Sequence, residues 1–547
     1  MNEIRKNDIF TIEITDLSEQ GDGIGHTQEG YTLFVKDTLP GDRARVKVIK
    51  TKKNYGYARL EQLLTASPSR CEARCAVARS CGGCRLQHMR YADQLSFKEN
   101  RVRELMTRIG GADDFEFLPI IGMENPWHYR NKAQYPVGVS RDGRVIAGFY
   151  AARTHSIVEN DDCLIQMPQS VAVLRAVMSW MQRFHVTAYD EKTGRGLVRH
   201  VLTRIGYYTG EIMVCFVING KKIPHAQELI DALTQMDGMT GIVLNSNTRR
   251  TNVILGDTET LLWGRSRITD TIGDIRYEIS AKSFYQVNPQ QTEKLYRTAM
   301  EFADLKGTET VWDLYCGIGT ISLSAARHAR QVIGVEIVPQ AVEDARRNAL
   351  LNGIENAAFY EGKAEEVLPE KVEKEHVRAD VIIVDPPRKG CAQSLLACMA
   401  KMAPEKIVYV SCNPATLARD AAYLRENGYR VEKVRCCDMF AQTTGVETVC
   451  LLSQRKPDTT IEVDLDISEL EVSSAETKAT YEEIKSYVLK KFGLKVSNLY
   501  IAQIKRECGI VERINYNLPK TEGNRVPQCP EDKRKAIKDA FIHFQMI

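Results

Sequence analysis

The hydrophobic and polar positions divide the chain into parts with different periodicities. Residues 8–65 alternate short β-rich runs with turn signals, which predicts a small five-stranded barrel. Residues 125–275 predict mixed β structure, preceded by a helix at roughly 91–110. From about residue 276, apolar runs typical of strands covered on both faces alternate with helical stretches. That alternation predicts a doubly wound α/β sheet.

We therefore expect a multidomain α/β protein, because 547 residues exceed what one hydrophobic core usually supports. Residues 456–480 are acidic and polar, and residues 481–547 are basic and helix-rich with a helix-turn-helix-like pattern. The predicted domains are an oligonucleotide-binding-like (OB-like) barrel (1–66), a central mixed α/β domain (67–90 and 125–275), a Rossmann-like domain (91–124 and 276–455) and a helical extension (456–547).

Composition places the chain among ordinary globular proteins. The chain contains no run of about 18 apolar residues, so no membrane span is predicted. The first residues also lack the apolar core of a signal peptide. The expected location is therefore the cytoplasm. The 15 cysteines are an odd number, and in a reducing compartment they serve as free thiols, metal ligands or nucleophiles. A net charge of +3 does not itself indicate nucleic acid, so any basic surface must be local.

Polar residues mark the ends of three predicted strands in the α/β part. "VWDLYCGIGT" is a strand followed by a glycine-rich turn, and Glu336 ends the next strand, where an acid can accept ribose hydroxyls. The order of the closing strands favours S-adenosylmethionine (AdoMet) over NAD as the nucleoside-type cofactor. Asp385 begins "DPPRKG", which is either part of the same site or a capped turn.

A cysteine follows a fourth strand. The run 407–410 is apolar, and Ser411-Cys412-Asn413-Pro414 ends it, because Pro414 lacks an amide hydrogen and restricts Asn413. Cys412 is either a small core residue or a nucleophile directed into a crevice. Its position just past the strand, at the edge where open α/β sheets bind ligands, favours the nucleophile.

A second group of cysteines lies at 71–84. "CEARCAVARSCGGC" contains Cys71, Cys75, Cys81 and Cys84, and this spacing by itself fits zinc, a redox pair or an iron–sulfur site.

Basic residues in strands give candidate RNA contacts. On the barrel they stand near Tyr55 and Tyr57, and the face is either solvated or a nucleic-acid surface. Two further basic segments offer phosphate contacts, although a solvated strand face explains about half of their residues equally well. The candidates there are Arg130, Lys132, Arg199, His200 and Arg204.

Five motifs resemble those of the RNA uracil-C5 methyltransferases. They are "SFYQVNPQQTEKLY", "DLYCGIGTISL", "DPPRKG", "YVSCNPATLARD" and "VETV". The sequence is most similar to bacterial enzymes that act on 23S ribosomal RNA, and the resemblance covers roughly residues 5–455. It implies an N-terminal TRAM barrel, a class I AdoMet methyltransferase domain and a [4Fe–4S] cluster.

The resemblance also implies residue roles. Cys412 is expected to be the nucleophile that adds to uracil C6, and Glu447 the base that removes the C5 proton. Gln286, Tyr315, Glu336 and Asp385 match AdoMet-binding positions. The expected cluster ligands are Cys75, Cys81, Cys84 and Cys163, which leaves Cys71 as a spare thiol. One position departs from the family, since Gly445 stands where the family often has His.

The leading hypothesis is an enzyme that forms 5-methyluridine in ribosomal RNA, with no membrane and no obligate protein partner. One alternative is a transfer-RNA uracil-5-methyltransferase, although those relatives usually lack the barrel and the cluster. A second is an RNA-binding iron–sulfur scaffold without catalysis, which the presence of Cys412 and Glu447 opposes. The helical extension adds RNA contacts or is a docking domain.

Overall fold

The computed structural model describes residues 4–375, 378–455, 479–508, 529–544 and 546. The chain divides into two compact units, residues 1–456 and 457–547. The finer domain boundaries given above stay predictions. Most of the acidic segment 456–480 lies outside the described residues.

The described residues form 22 strands. They are β1 (Ile9–Leu17), β2 (Gly23–His26), β3 (Thr32–Lys36), β4 (Arg43–Thr51), β5 (Tyr55–Thr65), β6 (Glu116–Ile121), β7 (Lys132–Val139), β8 (Val145–Tyr150), β9 (Ile157–Glu159), β10 (Val198–Ile205), β11 (Ile212–Ile218), β12 (Met239–Ser246), β13 (Thr258–Gly264), β14 (Arg267–Ile272), β15 (Ile275–Ser280), β16 (Thr310–Leu314), β17 (Gln331–Glu336), β18 (Ala357–Glu361), β19 (Val381–Val384), β20 (Lys406–Ser411), β21 (Tyr429–Cys437) and β22 (Glu447–Gln454).

Twelve helices connect or cover them within the same residues. They are α1 (Tyr91–Arg108), α2 (Pro168–Arg183), α3 (Ala226–Thr234), α4 (Pro289–Ala303), α5 (Thr320–Ala326), α6 (Pro339–Leu351), α7 (Ala364–Glu375), α8 (Gln393–Met402), α9 (Pro414–Glu426), α10 (Tyr481–Phe492), α11 (Asn498–Glu507) and α12 (Glu531–His543).

The first five strands close into a barrel in the order β1-β2-β3-β5-β4, which confirms the predicted five-stranded barrel. Alternate residues of each strand point inward, and Ile12, Leu33 and Val46 are almost fully buried there. The opposite residues remain on the outside of the barrel, where the basic residues of β4 lie.

The central part is a seven-stranded sheet in the order β13-β12-β11-β10-β7-β8-β9. Its middle strands β10 and β11 are buried along their whole length, because α2 packs against β10 and other strands flank both. A separate hairpin, β14–β15, leads into the α/β part.

The α/β part is an eight-stranded sheet in the order β18-β17-β16-β19-β20-β22-β21-β6. Strands β16 to β20 pair in parallel, and β22 inserts antiparallel between β20 and β21. The structure thus confirms the doubly wound sheet and its closing antiparallel strand. Strand β6, which precedes the central sheet in sequence, pairs in parallel with β21 at the edge.

The second unit has its own small core. Helix α10 begins with a capping box between Thr480 and Glu483 and ends at Gly493, whose φ of +67° places it in the left-handed region. Ile484, Ile501 and Phe541 are fully buried in this core. The two helices predicted around the glycine turn are therefore present.

Within the described residues, no helix is long and apolar enough to cross a membrane.

A buried ion pair fastens α1 to the segment after β21. Lys98 and Asp438 are both fully buried, and Lys98 Nζ donates to Asp438 Oδ1 at 2.5 Å and to the carbonyl of Phe440 at 3.1 Å. The hydroxyl of Tyr91 donates to the other carboxylate oxygen of Asp438 at 2.8 Å. Asp438 is fully buried, and Lys98 is its cationic partner. Loss of the lysine would therefore leave the carboxylate buried without an opposite charge.

We expect Lys98→Met to destabilise the first unit by about 3–5 kcal/mol, the usual cost of breaking a buried ion pair from one side. Urea unfolding followed by tryptophan fluorescence measures this. The matched control is Lys433→Met, which removes the exposed Lys433–Glu116 pair, where N and O are 3.3 Å apart, and should cost about 1 kcal/mol or less. Equal losses in the two variants would contradict the role given to Lys98.

Candidate active site

The carboxyl ends of β16, β17, β19 and β20 open into one large cavity of about 1380 Å³. Such an edge is where open parallel sheets bind ligands. The cavity contains every residue that the sequence assigned to catalysis or AdoMet binding. These residues are Gln286, Tyr315, Glu336, Asp385, Cys412 and Glu447.

The glycine-rich turn after β16 bends the chain sharply at the cavity wall. Tyr315 has a φ of +78°, which is unusual for a residue with a side chain and marks local strain. The N–H groups of Tyr315 and Cys316 both donate to the carbonyl of Val335 at 3.0 Å, and these bonds hold the turn. Among the residues that the structure describes, no atom beyond the chain neighbours of Gly317 would lie within 4 Å of a Cβ placed there, so the turn leaves open space.

Glu336 is held in a fixed orientation at the end of β17. One carboxylate oxygen accepts from the N–H of Gly317 at 3.1 Å and the other from the N–H of Val338 at 2.9 Å. Each oxygen keeps acceptor capacity for a ligand hydroxyl.

Two aspartates meet beneath the cavity. Asp313 on β16 accepts from Ser322 Oγ at 2.5 Å, while its Oδ1 has no partner among the described residues. Burial raises the pKa of Asp313 to about 7. Burial and the nearby Asp313 charge likewise raise the pKa of Asp385 to about 7. An unsatisfied buried acceptor in the cavity wall is suited to a ligand that carries N–H donors or positive charge.

Cys412 lies between the end of β20 and the first turn of α9. Asn413 is the N-cap of that helix, and its side chain accepts from the N–H of Ala415 at 3.1 Å. The amide of Asn413 also donates to the carbonyl of Arg388 at 3.0 Å, so the "DPPRKG" loop is fastened beside the thiol. Cys412 is thus half-buried at the cavity edge, as the sequence predicted, and is not a core residue.

The pairing of β22 with β20 brings Glu447 to the same place. Ser411 lies opposite Thr448 in the antiparallel register, so the next residues, Cys412 and Glu447, are neighbours across the two strands. Glu447 is 3% exposed. At the departure from the family, a Cβ on Gly445 would lie 3.1 Å from a ring carbon of Phe440, so a side chain there would have to share space with that ring.

Burial opposes ionisation of the acids and of the thiol. Burial, followed by the charges of Glu447 and Asp385, raises the pKa of Cys412 to about 11, and Arg388 opposes this shift. The pKa of Glu447 is also raised well above its ordinary value, by burial and by Asp385. Positive charge brought into the cavity would favour ionisation of all three groups.

Four of the cysteines near the N-terminal barrel interact with one another. The pKa of Cys84 is raised to about 12 by burial and by the charges of Cys163, Cys81 and Cys75. Cys81 and Cys163 are buried. Cys71 is exposed, and partial burial of its thiol raises its pKa, while Arg70 and Arg90 oppose this shift and Asp93 adds to it.

In the part of the chain that the structure describes, no three His, Cys, Asp or Glu side chains are arranged to hold one metal ion. A [4Fe–4S] cluster takes four thiolates, which is the number of cysteines in this set. Cys84 packs against the small buried cluster that contains Cys163.

The basic residues that the sequence proposed as RNA contacts differ in their exposure to the cavity. Arg130 lines the cavity. Burial and the neighbouring Arg204 and Arg130 lower the pKa of Lys132 to about 7. Arg199 is 5% exposed, donates to the carbonyls of Asn247 and Arg249 at 2.8 Å, and stacks on Tyr189.

The expectation that Arg199 and His200 contact RNA therefore needs correction. His200 is 7% exposed, and burial lowers its pKa to about 4. Arg204 is also buried and donates to the carbonyl of Ser283. Since β10 is the central strand of its sheet, these side chains lie in the interior and do not face solvent.

Sequence reasoning missed several residues of the cavity, because they come from distant segments. Arg101 is on α1, Arg153 follows β8, and Phe440 follows β21. None belongs to a local motif, although Phe440 directly precedes the segment that leads to Glu447. Asp313 stood within the quoted glycine-rich stretch and could have been recognised there.

This fold and this site define an AdoMet-dependent methyltransferase, and the comparisons with known proteins agree. The family described as tRNA (uracil-5-)-methyltransferase matches residues 90–455, and the TRAM domain matches residues 5–60. The chain therefore belongs to the RNA uracil-C5 methyltransferase family and is an RNA (uracil-5-)-methyltransferase.

Relatives and a solved structure match most of the first unit. An uncharacterized RNA methyltransferase of Halalkalibacterium halodurans is 50% identical over 450 residues, which are 82% of this chain and 98% of the relative. One of Clostridium tetani is 46% identical over 451 residues, covering 82% and 97%. The crystal structure of the Pyrococcus abyssi tRNA (uracil-54, C5)-methyltransferase with S-adenosyl-L-homocysteine has a TM-score of 0.65 and 28% identity, covering 81% of this chain and all of that one.

We predict that Cys412 in the protein alone reacts with iodoacetamide only slowly at pH 7, because a pKa of about 11 keeps the thiol protonated. The rate should rise about tenfold per pH unit towards that value, since only the thiolate reacts. Glu447→Gln removes a carboxylate whose charge raises this pKa, so it should speed the reaction most at alkaline pH, where Glu447 is ionised. Mass spectrometry of the alkylated peptides gives the rates, with exposed Cys71 as internal reference. A rate that levels off at or below pH 8 would contradict the shift.

Proposed function

We propose that this enzyme methylates C5 of a uridine in 23S ribosomal RNA, forms 5-methyluridine, and acts through a covalent bond between Cys412 and uracil C6. The observation that carries the proposal is the adjacency of Cys412 and Glu447 at one edge of a cavity that also contains Asp385 and Glu336. A nucleophile for C6 and a base for the C5 proton must lie this close together, because C5 and C6 are bonded neighbours in the uracil ring.

The reaction follows from the weakness of C5 as a nucleophile. The Cys412 thiolate adds to C6, and the electrons of the C5–C6 double bond move towards the O4 carbonyl and make C5 reactive. AdoMet, when bound, supplies the methyl group on a sulfonium. Glu447 then takes the C5 proton as a carboxylate, and the bond between C6 and Sγ breaks to restore the double bond and the thiolate.

Several side chains would position the cofactor. Glu336 offers two oriented carboxylate oxygens to a ribose, and Tyr315 and Gln286 line the same cavity. Asp385 and Asp313, whose Oδ1 has no partner among the described residues, both line the cavity. Positive charge on a bound ligand would lower the raised pKa values of both carboxyl groups and so favour their ionised forms. A bound cation would also oppose the negative charges that hold the Cys412 thiol protonated.

Ribosomal RNA is proposed as the substrate because the motifs of this chain are most similar to those of bacterial enzymes that act on 23S ribosomal RNA. Transfer RNA is the second candidate, favoured by the substrate named for the structurally similar Pyrococcus abyssi protein. A cytoplasmic location, where both RNAs and reduced thiols occur, is part of the proposal.

We also propose that Cys75, Cys81, Cys84 and Cys163 hold a [4Fe–4S] cluster. Their electrostatic coupling and the exclusion of Cys71 from it support this set. Such a cluster would fasten residue 163 to the loop 75–84, whose Gly82 and Gly83 line the active-site cavity. No step of the reaction uses it.

We expect a covalent complex with 5-fluorouridine-containing RNA in the presence of AdoMet, because fluorine cannot leave C5 as a proton. Denaturing gel electrophoresis detects it, with 23S ribosomal RNA and transfer RNA offered separately. Cys412→Ala should give no complex and less than about a thousandth of wild-type methylation. Glu447→Gln should slow turnover by about 10²–10⁴-fold and trap the complex even with ordinary uridine.

The substrates separate the candidates. A complex with transfer RNA alone would replace ribosomal RNA as the substrate. Absence of a complex and of methylation with both RNAs would favour the non-catalytic scaffold, and methylation by Cys412→Ala would disprove the nucleophile.

For the cluster, we predict about four irons per chain after anaerobic purification. Cys81→Ser and Cys163→Ser should lose most of this iron, while Cys71→Ser, the matched control on an exposed thiol, should keep it. Iron and sulfide analysis measures the content. Zinc in place of iron, or iron loss in Cys71→Ser, would overturn the ligand set.

A further inference from the structure

Three aromatic rings lie together on the outside of the barrel. Strands β3 and β5 pair in parallel with Phe34 opposite Tyr57 and Thr32 opposite Tyr55. The ring centroids of Phe34 are 5.6 Å from Tyr55 and 5.7 Å from Tyr57, and the two tyrosines are 5.8 Å apart. We call Phe34, Tyr55 and Tyr57 the aromatic platform.

The platform does not belong to the barrel core. Leu33 and Val35, which flank Phe34 in sequence, are fully buried, so Phe34 points to the other side of the strand. Tyr55 is 37% exposed, and the other two rings are half-buried. Exposed rings on an oligonucleotide-binding-type barrel are suited to stack on bases, because every base has a flat π-face.

Positive charge borders the platform along the same outer face. Lys36 follows Phe34 by two residues and is paired with Arg59, which follows Tyr57 by two. On the next strand Lys47 lies opposite Arg59. Arg59 itself pairs with Glu61, with Nε and Oε1 2.6 Å apart, so of these three cations Lys36 and Lys47 are the ones suited to meet phosphates beside the exposed rings.

One arginine joins the platform to the active-site cavity. The guanidinium carbon of Arg153 is 5.8 Å from the ring centroid of Tyr57, and Arg153 also lines the cavity. Its side chain reaches Gln20, a barrel residue in the same cavity wall, at 3.5 Å. An RNA strand whose uridine enters the cavity can therefore continue past Arg153 to the platform, because the side chain of Arg153 spans the distance between the two sites.

We infer that the aromatic platform is a second base-binding site, which stacks an unpaired base of the RNA strand that carries the target uridine. The inference rests on the proposed function in taking RNA as the substrate. The inference adds that the RNA substrate must have unpaired nucleotides beside the target uridine. These nucleotides would extend from the cavity past Arg153 to the platform. The competing explanation is that the rings only stabilise the barrel through cross-strand contacts.

The test measures binding of the full-length protein to a fluorescein-labelled, unstructured RNA of about twelve nucleotides, within the site sizes of such barrels. The RNA is adenine-rich with one central uridine, and fluorescence anisotropy gives Kd. Tyr55→Ala and Tyr57→Ala should each raise Kd about 5- to 150-fold, the change that corresponds to losing one stacked base. Tyr55→Phe and Tyr57→Phe keep the ring and should restore binding.

Two controls separate stacking from barrel stability. Tyr57→Leu keeps an apolar cover over the sheet but offers no aromatic face, so it should bind as weakly as the alanine variant while melting like the wild type. Tyr208→Ala removes a comparably exposed tyrosine (47% exposed) outside the barrel and should leave Kd unchanged.

Wild-type Kd in Tyr57→Leu, or equal losses in Tyr57→Phe and Tyr57→Ala, would overturn the platform. The 5-fluorouridine complex tests the proposed chemistry separately. A covalent complex together with ring-independent binding would retain the methyltransferase and reject the platform. Ring-dependent binding without any covalent complex would retain the platform and reject the proposed reaction.

Discussion

The register between β20 and β22 is the constraint on which the site depends. Ser411 opposite Thr448 makes Cys412 and Glu447 neighbours at one edge of the sheet. A slip of one residue would turn Glu447 to the other face, because side chains alternate along a strand. Strand β22 is held between β20 and β21 and is buried over most of its length, so this register is strongly specified. The thiol and the carboxyl are therefore placed by backbone hydrogen bonds of the core.

The same burial that fixes these groups also opposes their ionisation. Asp313, Asp385, Glu447 and Cys412 all have raised pKa values, with burial as the first cause of each shift. Arg388 is the cation that lowers the pKa of both Cys412 and Glu447. The site thus combines buried acids with a cavity in which a positively charged ligand can favour their ionisation, and the protonation state of the thiol depends on what the cavity contains.

The walls of the cavity come from every part of the first unit. The barrel contributes Gln20, the cysteine-rich loop Gly82, and α1 contributes Arg101. Helix α1 also holds the segment before Glu447, since Lys98 binds Asp438 and Gln94 bonds with Gln442. Residues that surround the reacting groups and residues that would meet RNA are consequently parts of one packed body.

The sequence by itself determined the kinds of elements and their order, because hydrophobic periodicity and turn residues act over a few positions. It placed Cys412 after a buried strand, and Glu336 and Asp385 at two others, and the parallel topology then required them to meet. It could not tell that "LVRHVLTR" is buried on both faces, since burial of β10 depends on α2 and on neighbouring strands far away in sequence. Only the tertiary structure decided that Arg153 reaches Tyr57 and that Lys98 pairs with Asp438, because such contacts are set by packing between distant segments and leave no local pattern.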